Sequence, residues 1–239
     1  MKLTLHKSGS RGHANHGWLN TWHTFSFANY YNPNRMHFGA LRVLNDDTVQ
    51  GGMGFGMHPH DNMEIITIVL EGELEHRDNL GNGSVIRPGE IQVMSAGTGV
   101  NHSEFSHSKT QDVKLLQIWV FPNIKDVEPR YDQARFPHEE MNAQWRLVVS
   151  PDGTQNSLFI HQQAWFSMGT FPKGAATELK LHKPGNGVYI FVLSGSVAVG
   201  GETLQARDGL GIENIEENIA LEILEEASIL AMEIPMELR

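Results

Sequence analysis

Short apolar or alternating runs, separated by glycine, asparagine, aspartate or proline, extend over the whole chain. Turn residues spaced about 8 to 12 positions apart are typical of β-sandwiches and β-barrels. The 3.6-residue apolar period of an amphipathic helix is scarce. The clearest strand candidates are 39–44, 64–70, 73–78, 92–95, 114–120, 158–162, 178–181, 188–193 and 196–199. The sequence therefore predicts an all-β fold with few short helices.

Two segments of the chain resemble each other. Residues 68–74 read IVLEGEL and residues 191–197 read FVLSGSV. The apolar-apolar-Leu-x-Gly pattern is common in β proteins, and chance similarity is the alternative, but a duplicated β-barrel is the better interpretation. The proline-containing, charged segment 122–145 is typical of a linker between two halves. We expect one domain over residues 1–135 and a second over residues 136–239.

Composition excludes several kinds of protein. The 239 residues contain thirteen histidines and no cysteine, so any metal must be bound through nitrogen and oxygen. The net charge is −10, and this acidic balance argues against direct binding of nucleic acid. The apolar run 65–70 is far too short to cross a membrane, and the N-terminus lacks the apolar region of a signal peptide. A soluble, cytoplasmic protein with no membrane contact is expected.

Two short motifs carry candidate chemistry, His58-Pro59-His60 and His102-Ser103-Glu104. Residues i and i+2 of an extended segment point to the same side, about 6 to 7 Å apart. If the two segments pair, three imidazoles and one carboxylate converge. Such a set suits Fe(II), Ni(II), Mn(II), Cu(II) or Zn(II) without choosing among them. The alternative is that backbone or solvent satisfies the histidines.

Other side chains are candidates on spacing alone or have a structural explanation. Asp61 and His107 lie close enough in sequence to act as further metal donors. The N-terminal cluster of histidines and tryptophans is more typical of core or cap packing than of a second site. Its members are His13, His16, Trp18, Trp22 and His23.

The first histidine pair resembles a known motif. Cupins carry a glycine, a His-x-His pair, a glutamate and a second glycine. With one extra residue before the last glycine, the matching positions are Gly52, His58, His60, Glu64 and Gly72. By this cupin motif alone, Glu64 would be the fourth metal ligand.

The second histidine motif departs from ordinary cupins, because Ser95 replaces a proline and His102 falls two residues late. These departures resemble the pirin family, whose signature is similar to residues 94–104, MSAGTGVNHSE. Residues 11–43 also resemble pirins, particularly the bacterial members described as quercetin 2,3-dioxygenases. The resemblance is strong over residues 10 to 135 and thin beyond.

The resemblance implies a bicupin, with two tandem jelly-roll β-barrels. It implies that His58, His60, His102 and Glu104 bind one divalent transition metal and that Glu64 does not. Fe(II) is the first expectation, with Ni, Mn, Cu, Co or Zn as alternatives. Because no histidine follows His182 in the second half, the second barrel is expected to be degenerate and free of metal.

The resemblance also implies an activity. We expect a dioxygenase that cleaves quercetin-like flavonols, or related enol or catechol substrates, with O2. Glu104 would take the proton of the substrate hydroxyl. The first alternative is a metal-dependent, redox-sensing module that binds a partner protein without physiological catalysis. The second alternative is a zinc site for isomerisation or hydrolysis, which an open histidine-rich site also supports.

Overall fold

Residues 1–238, which a computed structural model describes, form twenty β-strands and three short 3-10 helices, without an α-helix. Within that range, no helix is long and apolar enough to cross a membrane. The strands are β1 Lys2–His6, β2 Gly12–Asn15, β3 Leu19–His23, β4 Leu41–Val49, β5 Gly54–His60, β6 Glu64–Glu71, β7 Leu74–Asp78, β8 Gly83–Ile86, β9 Glu90–Ser95, β10 Val100–Ser106, β11 Val113–Val120, β12 Arg130–Arg135, β13 Arg146–Ser150, β14 Leu158–Phe159, β15 Trp165–Phe171, β16 Ala176–Leu179, β17 Asn186–Val199, β18 Glu202–Gln205, β19 Gly209–Glu213 and β20 Ile219–Pro235. The 3-10 helices are Ser8–Ser10, His138–Glu140 and Thr154–Asn156.

The strands of residues 1–238 form three sheets. The first half of the chain builds a seven-stranded sheet in the order β12-β9-β6-β11-β4-β3-β2 and a four-stranded sheet in the order β5-β10-β7-β8. The second half builds a nine-stranded sheet along β19-β17-β20-β15-β13-β14, with β16 on β20 and β18 on β17. Strand β1 pairs antiparallel with β19 and so joins this sheet from the start of the chain. The all-β fold with few short helices that the sequence predicts is confirmed.

The seven-stranded sheet is buried on both faces. On β6, Ile66 and Ile68 enter a core shared with the nine-stranded sheet. Ile65 and Val69, which point to the opposite side of the strand, face the four-stranded sheet instead. Because side chains alternate along a strand, a strand covered on both sides is apolar nearly throughout. This arrangement explains why residues 65–70 are apolar apart from Thr67, whose hydroxyl group hydrogen-bonds to Gln117 and Glu104.

The two similar segments of the sequence adopt the same local bend. Gly72 follows β6 with φ 75°, and Gly195 lies within β17 with φ 79°. A Cβ atom at either position would overlap a backbone carbonyl oxygen, that of Asp112 or that of Glu226. Only glycine fits such a position. Residues 188–193 and 196–199, predicted as separate strands, therefore belong to one bent strand.

The prediction of a linker over residues 122–145 was wrong for its middle part. Residues 130–135 form β12, which pairs with β9 at the edge of the seven-stranded sheet. Its sequence, RYDQAR, is mostly polar because an edge strand is only half-buried. The predicted strand 158–162 is also shorter than expected, since β14 contains only two residues.

The face of the seven-stranded sheet that meets the four-stranded sheet carries buried polar groups. Asp47 on β4 is buried, and no hydrogen-bond partner for its Oδ1 exists in the described part of the chain. Burial raises the pKa of Asp47 to about 7, with a contribution from the charges of Asp46 and Glu104 and against the hydrogen bond of Thr21. The folded protein therefore holds a proton at Asp47 that the unfolded chain releases near pH 4.

We expect Asp47→Asn to change how stability depends on pH in the metal-free protein. The raised pKa stabilises the fold fully below about pH 4, and this contribution is lost as pH rises through 7, at no more than about 1.4 kcal/mol per pH unit. The variant should therefore gain stability relative to wild type between pH 5 and pH 8. Urea unfolding followed by tryptophan fluorescence measures this difference.

Asp112→Asn is the matched control, because Asp112 is exposed and accepts a hydrogen bond from the backbone N–H of Gly51 that asparagine can also accept. Its stability curve should run parallel to that of wild type. A parallel curve for Asp47→Asn as well would contradict the raised pKa.

Candidate metal centre

Strand β10 lies between β5 and β7 and brings the histidines together. In the antiparallel register, His102 is opposite His58 on β5, and Val100 is opposite His60. The ring centroids of the three histidines are 4.4 Å apart for His58 and His102, and 4.9 Å apart for the other two pairs. The two short motifs of the sequence therefore do pair, and their three imidazoles form one cluster.

Two of these histidines present an available ring nitrogen. The Nδ1 of His58 lies 2.8 Å from the carbonyl oxygen of Gly56. Because a carbonyl oxygen only accepts, Nδ1 carries the hydrogen and Nε2 keeps its lone pair. His60 packs edge-on against Trp119 at 5.0 Å. Burial, and secondly the nearby His58, lower the pKa of His60 to about 4, so its ring is neutral at pH 7.

The third histidine provides the clearest sign of a missing partner. His102 is fully buried, and none of residues 1–238 offers its Nε2 a hydrogen bond. Burial lowers the pKa of His102, and the rings of His58, His60 and His76 lower it further. A buried polar atom without a partner is unfavourable. A metal ion held by neutral imidazoles would satisfy it, so the donor set fits a divalent transition metal.

Glu104 is buried in a cradle of neutral side chains. The Nε2 of Gln92 donates to its Oε1 at 2.6 Å, and the Nε2 of Gln117 donates to its Oε2 at 2.9 Å. Thr67 adds a longer contact of 3.4 Å to Oε1. Burial raises the pKa of Glu104 to about 7 against the effect of these hydrogen bonds. The carboxyl group can therefore hold or release a proton near neutral pH.

The metal donors of residues 1–238 form two overlapping groups, in each of which all ligand atoms lie within 4.8 Å of one another. The first contains His58, His60 and His102. The second contains His102 and Glu104 together with His76. The structure thus brings three of the four predicted residues into one group, and places Glu104 in the adjoining one.

His76 was missed in the sequence. It is fully buried on β7, opposite Glu104 in the register with β10. The signal was present, because His76-Arg77-Asp78 repeats the i, i+2 spacing of His102 and Glu104 within a predicted strand. Neither of the two family motifs in the sequence contains His76, so the resemblance does not identify it.

Glu64, the ligand of an ordinary cupin, lies outside both donor groups. It is buried at the start of β6, where its Oε2 accepts a hydrogen bond from the Oγ of Ser95 at 2.8 Å. Burial raises its pKa to about 7, against hydrogen bonds from Ser95 and the backbone of His161. Because Ser95 belongs to the first half of the chain and His161 to the second, Glu64 has a structural role at the contact between the two halves.

The remaining candidates lie apart from the cluster. His107 is near the surface, 3.0 Å from the Oε2 of Glu75, and Asp61 is exposed. In the second half, the Nδ1 of His182 lies 2.9 Å from the Oε2 of Glu233, and its ring stacks on Trp165.

The N-terminal histidines and tryptophans pack against one another only in part, because His23 is buried whereas His13 and His16 are exposed. His13 stacks on Trp22 with ring centroids 4.1 Å apart. His23 is buried with its Nδ1 2.9 Å from the Oδ1 of Asn45. Trp18 packs edge-on against Phe55 at 5.2 Å.

Comparison with known proteins agrees with this architecture. The profile of the Pirin family matches residues 4–120, and that of the quercetinase C-terminal cupin domain matches residues 147–234. A quercetin 2,3-dioxygenase of Escherichia coli strain K12 is 44% identical over 98% of this chain and 99% of its own. A pirin-like protein of Caulobacter vibrioides is 39% identical over 93% of this chain and 95% of its own.

Among solved structures, the bacterial pirin YhhW of Escherichia coli in complex with nickel(II) superposes with a TM-score of 0.93. It is 43% identical in sequence, and the match covers 98% of this chain and 99% of that one. With similarity of this extent across both barrels, the chain belongs to the pirin family.

Proposed function

We propose that this protein is a metal-dependent dioxygenase that cleaves quercetin-like flavonols, or related enol or catechol substrates, with O2. The observation that carries the proposal is the buried Nε2 of His102, unpaired within residues 1–238, in a cluster with the rings of His58 and His60. The Escherichia coli relative named quercetin 2,3-dioxygenase, 44% identical over nearly the full length, supports the reaction class.

The metal would be held by His58, His60 and His102 together with Glu104. When bound, a divalent transition metal would supply Lewis acidity and a place for substrate and O2 to meet. Three imidazoles and one carboxylate suit several ions, and we propose Fe(II), with Ni, Mn, Cu, Co or Zn as alternatives. The nickel(II) in the related YhhW structure supports a divalent ion in a site of this kind.

Glu104 is proposed as the general base that takes the proton of the substrate hydroxyl. In the metal-free chain, burial raises the pKa of Glu104 to about 7, so its surroundings favour the protonated form and the carboxylate tends to take a proton. The amides of Gln92 and Gln117 hold both carboxylate oxygens and so fix its direction. The overall reaction places both atoms of O2 in the products and releases one ring carbon of the flavonol as carbon monoxide.

Aromatic side chains beside the histidines would exclude water and contact the substrate. Trp119 packs against His60 at 5.0 Å and edge-on against Phe27 at 5.3 Å. Its buried Nε1 has no hydrogen-bond partner in the part of the chain that the structure describes. An oxygen atom of the substrate is a suitable acceptor for this N–H group.

We also propose that the work is divided between the halves of the chain, with the metal in residues 1–135 and a second, metal-free barrel in residues 136–239. The engagement of His182 with Glu233 and Trp165 supports this division, because that histidine is already hydrogen-bonded and stacked.

The first test is turnover by defined metal forms. We expect the protein, purified without oxygen and loaded with Fe(II), to consume O2 and release carbon monoxide with quercetin, and His102→Ala to lose both metal and activity. Parallel loading with Ni, Mn, Cu, Co and Zn identifies the ion that supports the fastest turnover. An oxygen electrode and metal analysis give the readings. If every form binds metal and none consumes O2 with quercetin or simple catechols, the dioxygenase proposal is wrong and the partner-binding alternative gains support.

The second test addresses the base. Glu104→Gln keeps the shape of the side chain but cannot take a proton. We expect kcat per bound metal ion, with the metal content measured in the same sample, to fall by about 10²- to 10⁴-fold, the usual contribution of general acid-base catalysis. Glu75→Gln is the control, because Glu75 lies on the neighbouring strand and pairs near the surface with Arg77 and His107. Unchanged kcat in Glu104→Gln would remove Glu104 from this role.

The third test separates the two possible ligand sets. We expect Glu64→Gln to bind Ni(II) with wild-type affinity, because the Glu64 carboxyl group contacts Ser95 rather than the histidine cluster. Titration calorimetry measures the affinity, and circular dichroism checks the fold. A folded Glu64→Gln protein that binds no metal would show that the ordinary cupin ligand set applies.

A further inference from the structure

Three side chains form a row beside the proposed metal site, Asp78, His76 and His102. The Nε2 of His76 lies 3.3 Å from the Oδ2 of Asp78, and the Nδ1 of His76 lies 3.5 Å from the Nδ1 of His102. All three side chains are inaccessible to solvent. The row ends at the Nε2 of His102, which has no partner in residues 1–238.

Asp78 is fixed at the outer end of this row. Its Oδ1 accepts hydrogen bonds from the backbone N–H groups of Leu80 and Asn82, each at 2.9 Å. Its Oδ2 accepts one from the Nδ2 of Asn82 at 2.8 Å. These bonds outweigh burial and lower the pKa of Asp78, so the group is an ionised carboxylate. A carboxylate only accepts hydrogen bonds, so the hydrogen between Asp78 and His76 lies on the Nε2 of His76.

The hydrogen on the Nε2 of His76 determines the roles of the two facing Nδ1 atoms, those of His76 and His102. Burial lowers the pKa of His76 against the effect of Asp78 and so favours the neutral ring, in which only one nitrogen carries a hydrogen. With the hydrogen on Nε2, its Nδ1 is an acceptor, and the Nδ1 of His102 must be the donor that faces it. A neutral His102 with its hydrogen on Nδ1 keeps the lone pair on Nε2.

We propose that Asp78 and His76 are positioning residues that fix the tautomer of His102 and thereby hold its Nε2 ready to bind the metal. The inference rests on the proposed function, because it requires His102 to be a ligand. Ligating histidines commonly donate their other ring N–H to a fixed acceptor, which orients the ring and makes the ligand nitrogen more basic. Here the acceptor is a second histidine, oriented in turn by a carboxylate.

His76 supports the metal site in this arrangement and is not a fifth ligand. One of its nitrogens donates to Asp78 and the other accepts from His102, so neither lone pair is free. Its ring also stacks on Tyr131, with centroids 4.5 Å apart and planes inclined by 21°. Stacking holds the ring in the plane that joins the two neighbours.

The sharpest test is Asp78→Asn, which preserves the shape of the side chain and replaces one acceptor oxygen with a donor nitrogen. The two backbone N–H groups on Oδ1 require an acceptor there, so the new amide nitrogen occupies the Oδ2 position and faces His76, and the Asn82 amide turns its oxygen toward it. An amide donor reverses the row, because His76 then carries its hydrogen on Nδ1 and His102 carries its hydrogen on Nε2. We expect affinity for Ni(II) to weaken by about 10- to 100-fold, as for other partners of metal-bound histidines.

The tautomer itself is observable by NMR of the metal-free protein with ¹⁵N-labelled histidine. Wild type should show His102 with its hydrogen on Nδ1, assigned by the loss of its signals in His102→Gln. Asp78→Asn should show the hydrogen on Nε2. A residue that merely supports the fold would leave this reading unchanged.

Two variants of His76 complete the test. His76→Phe keeps the stacking on Tyr131 but removes the acceptor, so the affinity for Ni(II) should fall as in Asp78→Asn. His76→Asn places an amide oxygen near the position of Nδ1 and should recover part of the affinity. His107→Phe is the matched control, because His107 also pairs with a carboxylate on the same sheet but lies near the surface outside both donor groups.

The outcomes separate this inference from the proposed function. Wild-type affinity and an unchanged His102 tautomer in both Asp78→Asn and His76→Phe would overturn the positioning role while leaving the metal site intact. If wild type binds no Ni(II), or His102→Gln binds it as tightly as wild type, the proposed metal site itself is wrong. Weakened Ni(II) binding in Asp78→Asn, together with a reversed His102 tautomer, would be enough to support the inference.

Discussion

The antiparallel pairing of β10 with two neighbours at once is the constraint on which the candidate centre depends. Pairing with β5 places His102 opposite His58, and pairing with β7 places it opposite Asp78. Two positions further along β10, the register with β7 puts Glu104 opposite His76. A slip of one residue would turn these side chains to the other face of the sheet. The proposed metal donors, the proposed base and the proposed positioning residues therefore follow from one register.

The seven-stranded sheet allows this polar cluster to exist inside an apolar protein. One face of β11 carries Leu116 and Ile118 into the core shared with the second half of the chain. The other face carries Gln117 and Trp119 toward the histidines. Because side chains alternate along the strand, one strand supplies both the core and the site, each from its own set of residues. The second barrel therefore contributes to the site indirectly, by covering the opposite face of the sheet that bears it.

Turn spacing and the period of a strand are local properties, and they were enough to predict the all-β fold and that His58 and His60 share one side of their strand. The bicupin arrangement and the grouping of these histidines with His102 followed from the resemblance to the pirin family. Strand β12 was not predictable, since a half-buried edge strand needs no apolar pattern. Nor was the role of His76, which depends on the pairing of β7 with β10 across residues distant in sequence. Spacing shows which side chains share a face, but register decides which faces meet.

The groups that make the site chemically useful also weaken the metal-free fold. His102 is buried with an unsatisfied nitrogen within the described chain, and Glu104 is buried with its pKa raised to about 7. In water, the nitrogen of His102 would be hydrogen-bonded and Glu104 would have its ordinary pKa, so burying each group costs free energy of folding. A ligand that binds only the folded state returns stability in proportion to its concentration and affinity. Because the two largest apolar cores lie on the far side of the seven-stranded sheet and within the second barrel, the fold can carry this local cost. Binding of the proposed metal would then stabilise the first barrel in particular, at the histidines proposed to hold it.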